Sequence, residues 1–366
     1  MLKKQRIGIL VNHSLYRRIP SGATKHENLS FYEEVCRQCG IVPCYFRLKD
    51  IDLANRRVWA YVLGEKGYTR RLVGLPRVIH NRAIHLTSRS KKRLSLLIES
   101  GICLFNPCNR YSKLKIHELL MSNPALRPHL PGTEQATPES VGRLMKQYGS
   151  LILKPDNSSI GRGVMLLEKK REQWHLTAAM KNGARRIYRF GDADPLPGLL
   201  RKRISQKRYV VQQRLPLALC QGRPFDLRVS VQKDGNGAWQ VTGLVGKVAA
   251  KGKYVTNVAQ GGSVVPLNRL IVEYPWLDEH SVRARVTQFS LLVARHLEQH
   301  LPGLADIGLD VGITAYGFPV FIECNCRDLR YSFKEGGMPE QWKATYANPV
   351  RYAKYLLDRL ADRTSP

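Results

Sequence analysis

Long apolar runs are missing from this 366-residue sequence: no stretch of eighteen occurs, which argues against a membrane-spanning helix. Acidic residues are scarce too, 29 Asp and Glu against 59 Lys and Arg, leaving a formal net charge of +30. Such a surplus favours an anionic partner: a nucleotide, an acidic polymer, a nucleic acid or an anionic surface. The charge lies in short clusters (Lys91-Lys92-Arg93, Lys169-Lys170-Arg171, Arg201-Lys202-Arg203) rather than one tail, so a generally basic surface is the plainer reading. Cysteines number eight, scattered from Cys36 to Cys326. The opening MLKKQRIGILVNHS has too short an apolar run, and no small-residue cleavage site, for a secretory signal, so reduced thiols in a soluble cytoplasmic protein are expected. No second CxxC or HxxxH accompanies Cys36-x-x-Cys39, which favours buried helix cysteines there over zinc or redox chemistry. Internal repeats, low-complexity tracts, heptads, aromatic-interleaved basic motifs and a recognisable helix-turn-helix are also lacking, which argues against specific nucleic-acid binding.

What is present alternates apolar runs with helical spacing. RIGILV, IVPCYF and RVIH read as buried strands, ENLSFYEEVCRQCG and SKKRLSLLIES as helices, and RRVWAYVLGEKGYTRRLV as a hairpin turning at Gly64–Gly67. These form an α/β domain over residues 1–106. YSKLKIHELLM reads as a helix, and NPALRPHLPGTEQATP, with four prolines in sixteen residues, as a linker or wrapped segment. Strands and hairpins follow from LILKP to about residue 265. SVRARVTQFSLLVARHLEQH is an amphipathic helix, apolar at 282, 286, 289, 293 and 297, before two strands, ADIGLDVGIT and FPVFIEC, and a terminal helix NPVRYAKYLLDRL.

The stretch FIECNCRD carries the chemistry. Alternation along a strand puts Glu323 and Asn325 on one face and Cys324 and Cys326 on the other. A turn centred on Tyr316-Gly317 sets Asp310 directly across from Glu323, roughly 4.5–5.5 Å between Cα atoms. Two facing carboxylates repel unless a cation lies between them. Two carboxylates and an amide oxygen are hard ligands for Mg²⁺ or Mn²⁺, whereas zinc would take the thiolates; the cysteines are then core filler. An exposed hairpin with polar residues is the alternative. Magnesium held by few carboxylates shares its ligation with phosphate oxygens. SLILKPDNSSIGRGVMLLE offers Lys154 and then a glycine loop, Ser158 to Gly163, whose N–H groups can close on phosphate. PFDLRVSV alternates so that Asp226, Arg228 and Ser230 share a face, either toward a cleft or as an exposed ion pair. VVQQRLP reads as a buried strand entering a loop, able to offer backbone groups to an adenine edge.

In this order, strand-LKP, glycine loop, VVQQRL, FDLR, TN…GG and LD…FIECN, the chain resembles the ATP-grasp superfamily. With RIGILVN, LPRVIHNR, KLKIHELL…LRPHLPGT and NCRDLRYSF it further resembles the YheC/YheD family of endospore coat-associated proteins. The resemblance implies a pre-ATP-grasp α/β domain (1–106) and an ATP-grasp domain (107–366) whose α+β subdomains, roughly 107–205 and 206–366, grip ATP. It implies ATP-binding roles for Lys113 (Lys115 competing), Lys154, Ser158, Ser159, Gly161, Gly163, Gln212, Gln213, Leu215 and Asn257. It further implies Arg228 on the transferred phosphate and magnesium ligation by Asp310, Glu323 and Asn325. Lys247 stands where related ligases often have Arg. The chain departs from related ligases after Asn325, reading CRDLRYSF where many have a Pro-Gly turn. The implied activity is an ATP- and Mg²⁺- (or Mn²⁺-) dependent carboxylate–amine or carboxylate–thiol ligase acting through an acyl phosphate. The alternative is an ATP-binding, spore-coat-associated protein without turnover, with spore-coat components as partners. Arg327 and Arg330, just past the metal ligands, are expected to orient an anionic or carboxylate-bearing substrate, with a local ion pair that shapes the turn as the other reading.

Overall fold

The computed structural model describes residues 5–24, 27–157, 161–180, 184–254, 256, 258 and 261–362. Three sheets follow one another along the chain. The first contains β1 (Arg6–Leu10), β2 (Val42–Phe46), β3 (Ile51–Asp52), β4 (Arg57–Gly64), β5 (Gly67–Gly74), β6 (Val78–Asn81) and β7 (Cys103–Phe105), ordered β3-β4-β2-β1-β6-β7 with β5 on β4. Its centre is parallel, β1 lying between β2 and β6, and β4 and β5 form the expected hairpin, Gly64 opposite Gly67. The second contains β8 (Thr133–Gln135), β9 (Ser150–Pro155), β10 (Met165–Lys170), β11 (Gln173–Ala179), β12 (Arg185–Phe190) and β13 (Tyr209–Gln213), ordered β12-β11-β10-β9-β13-β8. The third contains β14 (Leu219–Cys220), β15 (Arg223–Lys233), β16 (Trp239–Val248), β17 (Ser263–Val265), β18 (Asp306–Ile313) and β19 (Pro319–Asn325), ordered β17-β16-β15-β18-β19 with β14 on β15. The helices are α1 (His13–Tyr16), α2 (Leu29–Gln38), α3 (Ser88–Glu99), α4 (Lys113–Met121), α5 (Pro138–Gln147), α6 (Gly198–Gln206), α7 (Leu267–Leu270), α8 (Glu279–His300), α9 (Tyr331–Glu335) and α10 (Pro339–Asp362).

The helix expected from apolar spacing is α8. Asp278 caps it by accepting the Ser281 N–H at 2.8 Å, and Val282, Val286, Phe289, Val293 and Leu297 are all buried against the third sheet. The proline-rich stretch is more ordered than a linker. It supplies β8, which pairs with β13, and Pro138 opens α5, where a missing N–H costs nothing, behind a Thr137 cap.

Two helices cross the expected boundaries. Ile116 and Leu120 of α4 join the core of the third sheet with Val286 and Phe289, although α4 precedes the second sheet in the chain. α10 begins at Pro339 and runs through Pro349, so the terminal helix starts nine residues before NPVRYAKYLLDRL. Its Tyr346, Val350 and Leu357 pack with Ile7, Tyr32 and Val35 of the first domain.

Charged groups also join the first domain to the third sheet. Asp306, at the start of β18 and fully buried, accepts Arg330 at 2.6 Å and Arg82 at 3.3 Å on Oδ2, and lies 3.2 Å from His80 Nε2. Its Oδ1 accepts Gln232 Nε2 at 2.8 Å. Burial opposes the charge of Asp306, but the arginines outweigh it and hold the carboxyl far below its ordinary value. Burial pushes His80 down to about 4, so it is neutral at pH 7. Asp306→Asn leaves the buried Arg330 without its carboxylate partner and Arg82 with the Glu27 carboxylate alone. It is expected to lower the unfolding free energy by about 3–5 kcal/mol in denaturant titration, whereas Asp358→Asn, which breaks the exposed Lys354–Asp358 pair, costs about 0–1 kcal/mol.

Candidate nucleotide and metal site

β18 and β19 place Asp310 opposite Glu323, as the sequence register requires. The route differs from expectation. Ile313 faces Pro319 and the Thr314 N–H donates to Phe318 O at 3.0 Å, so the turn centres on Tyr316, with Gly317 at φ 72°, and the next residues of β18 each meet a partner one place earlier than expected. Val311 therefore faces Phe321, and a bulge at Ile322 restores the expected pairing at Asp310. The bulge has a second consequence: the Ile322 carbonyl accepts Lys154 Nζ, from β9 of the second sheet, at 3.2 Å.

Around the two carboxylates stand four cations in two groups. Glu323 Oε1 lies 3.2 Å from Nζ of Lys113, the first residue of α4. The α4 entrance is itself fixed to β9, because Asp156 accepts the Leu114 N–H at 3.1 Å. Lys154 is buried and, mainly through that burial, pushed down to about 8, with Glu323 and Asp310 pulling the other way and Lys113 adding repulsion. Asp310 Oδ1 is 2.8 Å from both Arg228 Nη1, on β15, and Lys247 Nζ, on β16. Burial alone would lift the Asp310 carboxyl, but Arg228 and Lys247 outweigh it and hold it below the usual carboxylate range. Lys247 also reaches Asp226 at 3.0 Å, and burial pushes Asp226 up to about 6. Arg228 Nε is 3.5 Å from Asp328, whose other oxygen accepts the Ser230 hydroxyl. Gly308 makes room for Asp328: a Cβ there would come within 2.7 Å of its carboxylate.

The adjoining cleft is lined by Lys113 and His117 of α4, Lys154, Thr133, Gln212 and Glu323 among others. Gln212 Nε2 donates to Thr133 Oγ1 at 2.8 Å. Gln213 and Leu215 are not among the lining residues, and Gln213 Oε1 instead accepts the Gly132 N–H at 3.3 Å. Lys115 is exposed, which favours Lys113 as the first lysine. Gly161 and Gly163 have φ of 64° and 79°, the left-handed region a flexible turn needs. Ser158, Ser159 and Asn257 lie outside the described residues. The sequence reading missed His117, although its i, i+4 spacing from Lys113 puts both on one helix face. Asp328, expected from the sequence either to fix Arg327 or Arg330 or to bind an ammonium group, lies instead against the Arg228 guanidinium.

The thiols and the two later arginines separate by burial. Cys326 is buried in the third-sheet core; Cys324, 4.0 Å away between sulfurs, packs against that core and also lines the cleft, so it is more than filler. Arg327 Nη1 donates to Asn12 Oδ1 at 3.0 Å and to Arg82 O at 3.3 Å, and burial with Arg82 nearby brings it down to about 10. Arg330 does not face a substrate path. Its side chain is fully buried, donating to Asp306 and to Tyr32 Oη at 3.0 Å and stacking 4.5 Å over Tyr346, because the chain turns inward there at φ 43°.

The donor set fits a hard dication. Asp310 and Glu323 face each other, and Asn325 Nδ2 lies 3.5 Å from Asp310 Oδ2, so turning the amide presents its carbonyl oxygen at the same place. Among the described residues no group of three or more His, Cys, Asp or Glu is poised to hold a metal, which leaves this mixed carboxylate–amide set as the candidate.

Comparison with known proteins identifies the family of the chain and its fold. A family model described as YheC/D like ATP-grasp matches residues 101–356, well over half of the chain. The chain is similar to the endospore coat-associated protein YheD of Bacillus subtilis (strain 168), 29% identical over 341 residues that span 90% of this chain and 73% of that protein. Among solved structures it resembles the ATP-grasp ligase PsnB complexed with minimal precursor, with a TM-score of 0.52, 16% identity and coverage of 99% and 100% of the two chains. It also resembles the VanG D-Ala:D-Ser ligase from Enterococcus faecalis, with a TM-score of 0.53, 11% identity and coverage of 96% and 100%.

Thermal shift separates the roles of the site residues. ATP with Mg²⁺ is expected to raise Tm, and Mg²⁺ to add to the shift from ATP alone. Glu323→Gln should lose the Mg²⁺ increment with little change in the ligand-free Tm. Lys154→Ala should weaken ATP binding by about 10–100-fold with or without metal, the loss of one charged hydrogen bond. Cys326→Ser should leave the Mg²⁺ increment intact; its loss there would contradict the oxygen-ligand assignment.

Proposed function

We propose that this chain, which belongs to the YheC/D-like ATP-grasp family, is an ATP- and Mg²⁺-dependent ligase that joins a carboxylate to an amine or thiol through an acyl phosphate. One observation carries the reading: Lys113, Arg228 and Lys247 pair with two facing carboxylates, of which Glu323 lines the cleft, and Lys154 stands beside them on the Ile322 carbonyl. Each carboxylate is neutralised by lysine or arginine. Phosphate oxygens would replace these carboxylates as partners of the lysines and arginines, leaving Asp310 and Glu323 able to hold a dication. Asp310, Glu323 and Asn325 are the residues that would hold magnesium, which when bound shields the phosphate charge that would otherwise repel an attacking carboxylate.

In this assignment Lys113 and Lys154 bind the phosphates that stay with the nucleotide, and the loop from Ser158 to Gly163, with Asn257, closes over them. Gln212, with Gln213 and Leu215 behind it, borders adenine. Arg228 and Lys247 meet the phosphoryl group in transfer, where fixed positive charge stabilises the spread of charge over its oxygens. Their own carboxylate partners fix both side chains in place before substrate arrives, so little reorganisation remains. The substrate carboxylate attacks the γ-phosphorus, the bond to the β–γ bridging oxygen breaks, and ADP leaves; the amine or thiol then displaces phosphate from the acyl carbon. Arg327, held at Asn12 in the first domain, is the arginine retained for the anionic substrate.

A second reading, nucleotide binding without turnover in association with the spore coat, is motivated by the description of the relative YheD as endospore coat-associated. Among the described residues no helix is long and apolar enough to cross a membrane. The test is an ADP-release screen with Mg²⁺ against amino acids, peptides and acidic cell-wall fragments, using a substrate whose carboxylate carries ¹⁸O. The ligase reading expects ADP together with phosphate bearing one ¹⁸O from the carboxylate. AMP with pyrophosphate contradicts the acyl-phosphate route, and ATP binding without substrate-dependent ADP supports the second reading.

A further inference from the structure

β12 forms one end of the second sheet, hydrogen-bonded to β11 alone among the described strands. Its side chains are mostly exposed: Arg185, Arg186, Ile187 and Arg189 all face solvent, Ile187 at 55%. Among the described residues none of the three arginines makes an ion pair. Arg185 gives one N–H to the Gly252 carbonyl, and Arg186 lies 5.3 Å over the Tyr188 ring. Arg203 of α6 adds a fourth guanidinium at this border, donating to Ala179 O at 3.0 Å directly across from Arg185. Edge strands are commonly guarded against pairing by charge, but a guard needs no exposed isoleucine between its arginines.

The register fixes what the edge offers. Met180 N donates to Ala184 O at 2.8 Å, and every β11–β12 partner pair continues that alignment. Hydrogen-bonded pairs alternate along an antiparallel ladder, so Arg186, Tyr188 and Phe190 turn their backbone groups to β11. Arg185, Ile187 and Arg189 turn theirs outward. Their side chains also share one face of the sheet, the face of Thr177 and Leu166, which is that of Ile152 and Lys154 on β9. This edge thus presents three backbone units, unpaired among the described residues, whose side chains read Arg–Ile–Arg.

We infer that this edge docks an extended acidic polypeptide, added antiparallel to β12, with the pattern acid–x–apolar–x–acid. Residues directly opposite in a ladder share a face, so the two acidic side chains meet Arg185 and Arg189 and the apolar one covers Ile187. A polypeptide complements the backbone row as well as the charges; a nucleic acid complements the charges alone. The edge lies three strand spacings, about 14 Å, from Lys154, so it is separate from the nucleotide cleft.

The test uses the full-length chain and a rhodamine-labelled, end-capped peptide Thr-Glu-Thr-Val-Thr-Glu-Thr in fluorescence anisotropy. Binding is expected, weakened at least about tenfold by the double variant Arg185→Gln, Arg189→Gln, whose ATP-induced thermal shift stays that of the parent. On the peptide side, N-methylation at the Glu and Val positions should abolish binding and N-methylation at the Thr positions should spare it, which tests the backbone pairing without risk to the fold. Equal affinity for a scrambled peptide, or for the trinucleotide TpTpT of matched charge, would make the edge a non-specific polyanion surface and overturn the proposal. So would no binding at millimolar peptide.

Discussion

A single buried carboxylate, Asp306, holds the first domain to the strand that carries the site. It draws Arg82 and His80 from the β6 region and Arg330 from beyond β19 to one point, with Gln232 of β15 completing its shell. Because strand residues alternate, Asp306, Gly308 and Asp310 share a face of β18. Asp306 fixes the interface, Gly308 leaves the gap that Asp328 fills, and Asp310 meets Arg228 and Lys247. Burying these charges brings no assured stability, since desolvation offsets much of the attraction. What they bring is geometry: slipping β18 by one residue would bury an unpaired carboxylate and turn Asp310 away from Arg228 and Lys247.

The same logic runs outward to the cleft. Every cation there has a carboxylate or carbonyl to rest against, so none stands as an uncompensated buried charge. The arrangement is poised for exchange, because phosphate can replace carboxylate as the partner of each lysine or arginine at little cost in side-chain order.

Much of this was legible in the sequence, for identifiable reasons. The strand alternation of FIECN and the length of the preceding hairpin placed Asp310 opposite Glu323, and the 3.6-residue period located α8. The pairing came out right although the turn was misjudged, because the bulge at Ile322 compensates the tighter turn; nothing local in FPVFIEC announces a bulge. Arg330 was misjudged because a charged residue following candidate metal ligands looks exposed, whereas its burial depends on Asp306, Tyr32 and Tyr346, from three distant parts of the chain. The docking of α4 on the third sheet and of α10 on the first was invisible for the same reason: helix periodicity shows that a face is buried but not against what.

The account turns on whether a metal-bound nucleotide sits between the cations of the second sheet and the carboxylates of the third. The most direct measurement is a crystal structure of the complex with Mn²⁺ and a non-hydrolysable ATP analogue, with the metal located by its anomalous signal. The expected result is manganese within coordination distance of Asp310 and Glu323 and of the analogue's phosphates, with Lys154 on a phosphate oxygen. Manganese bound at the cysteines, or a nucleotide seated away from Lys154, would contradict it.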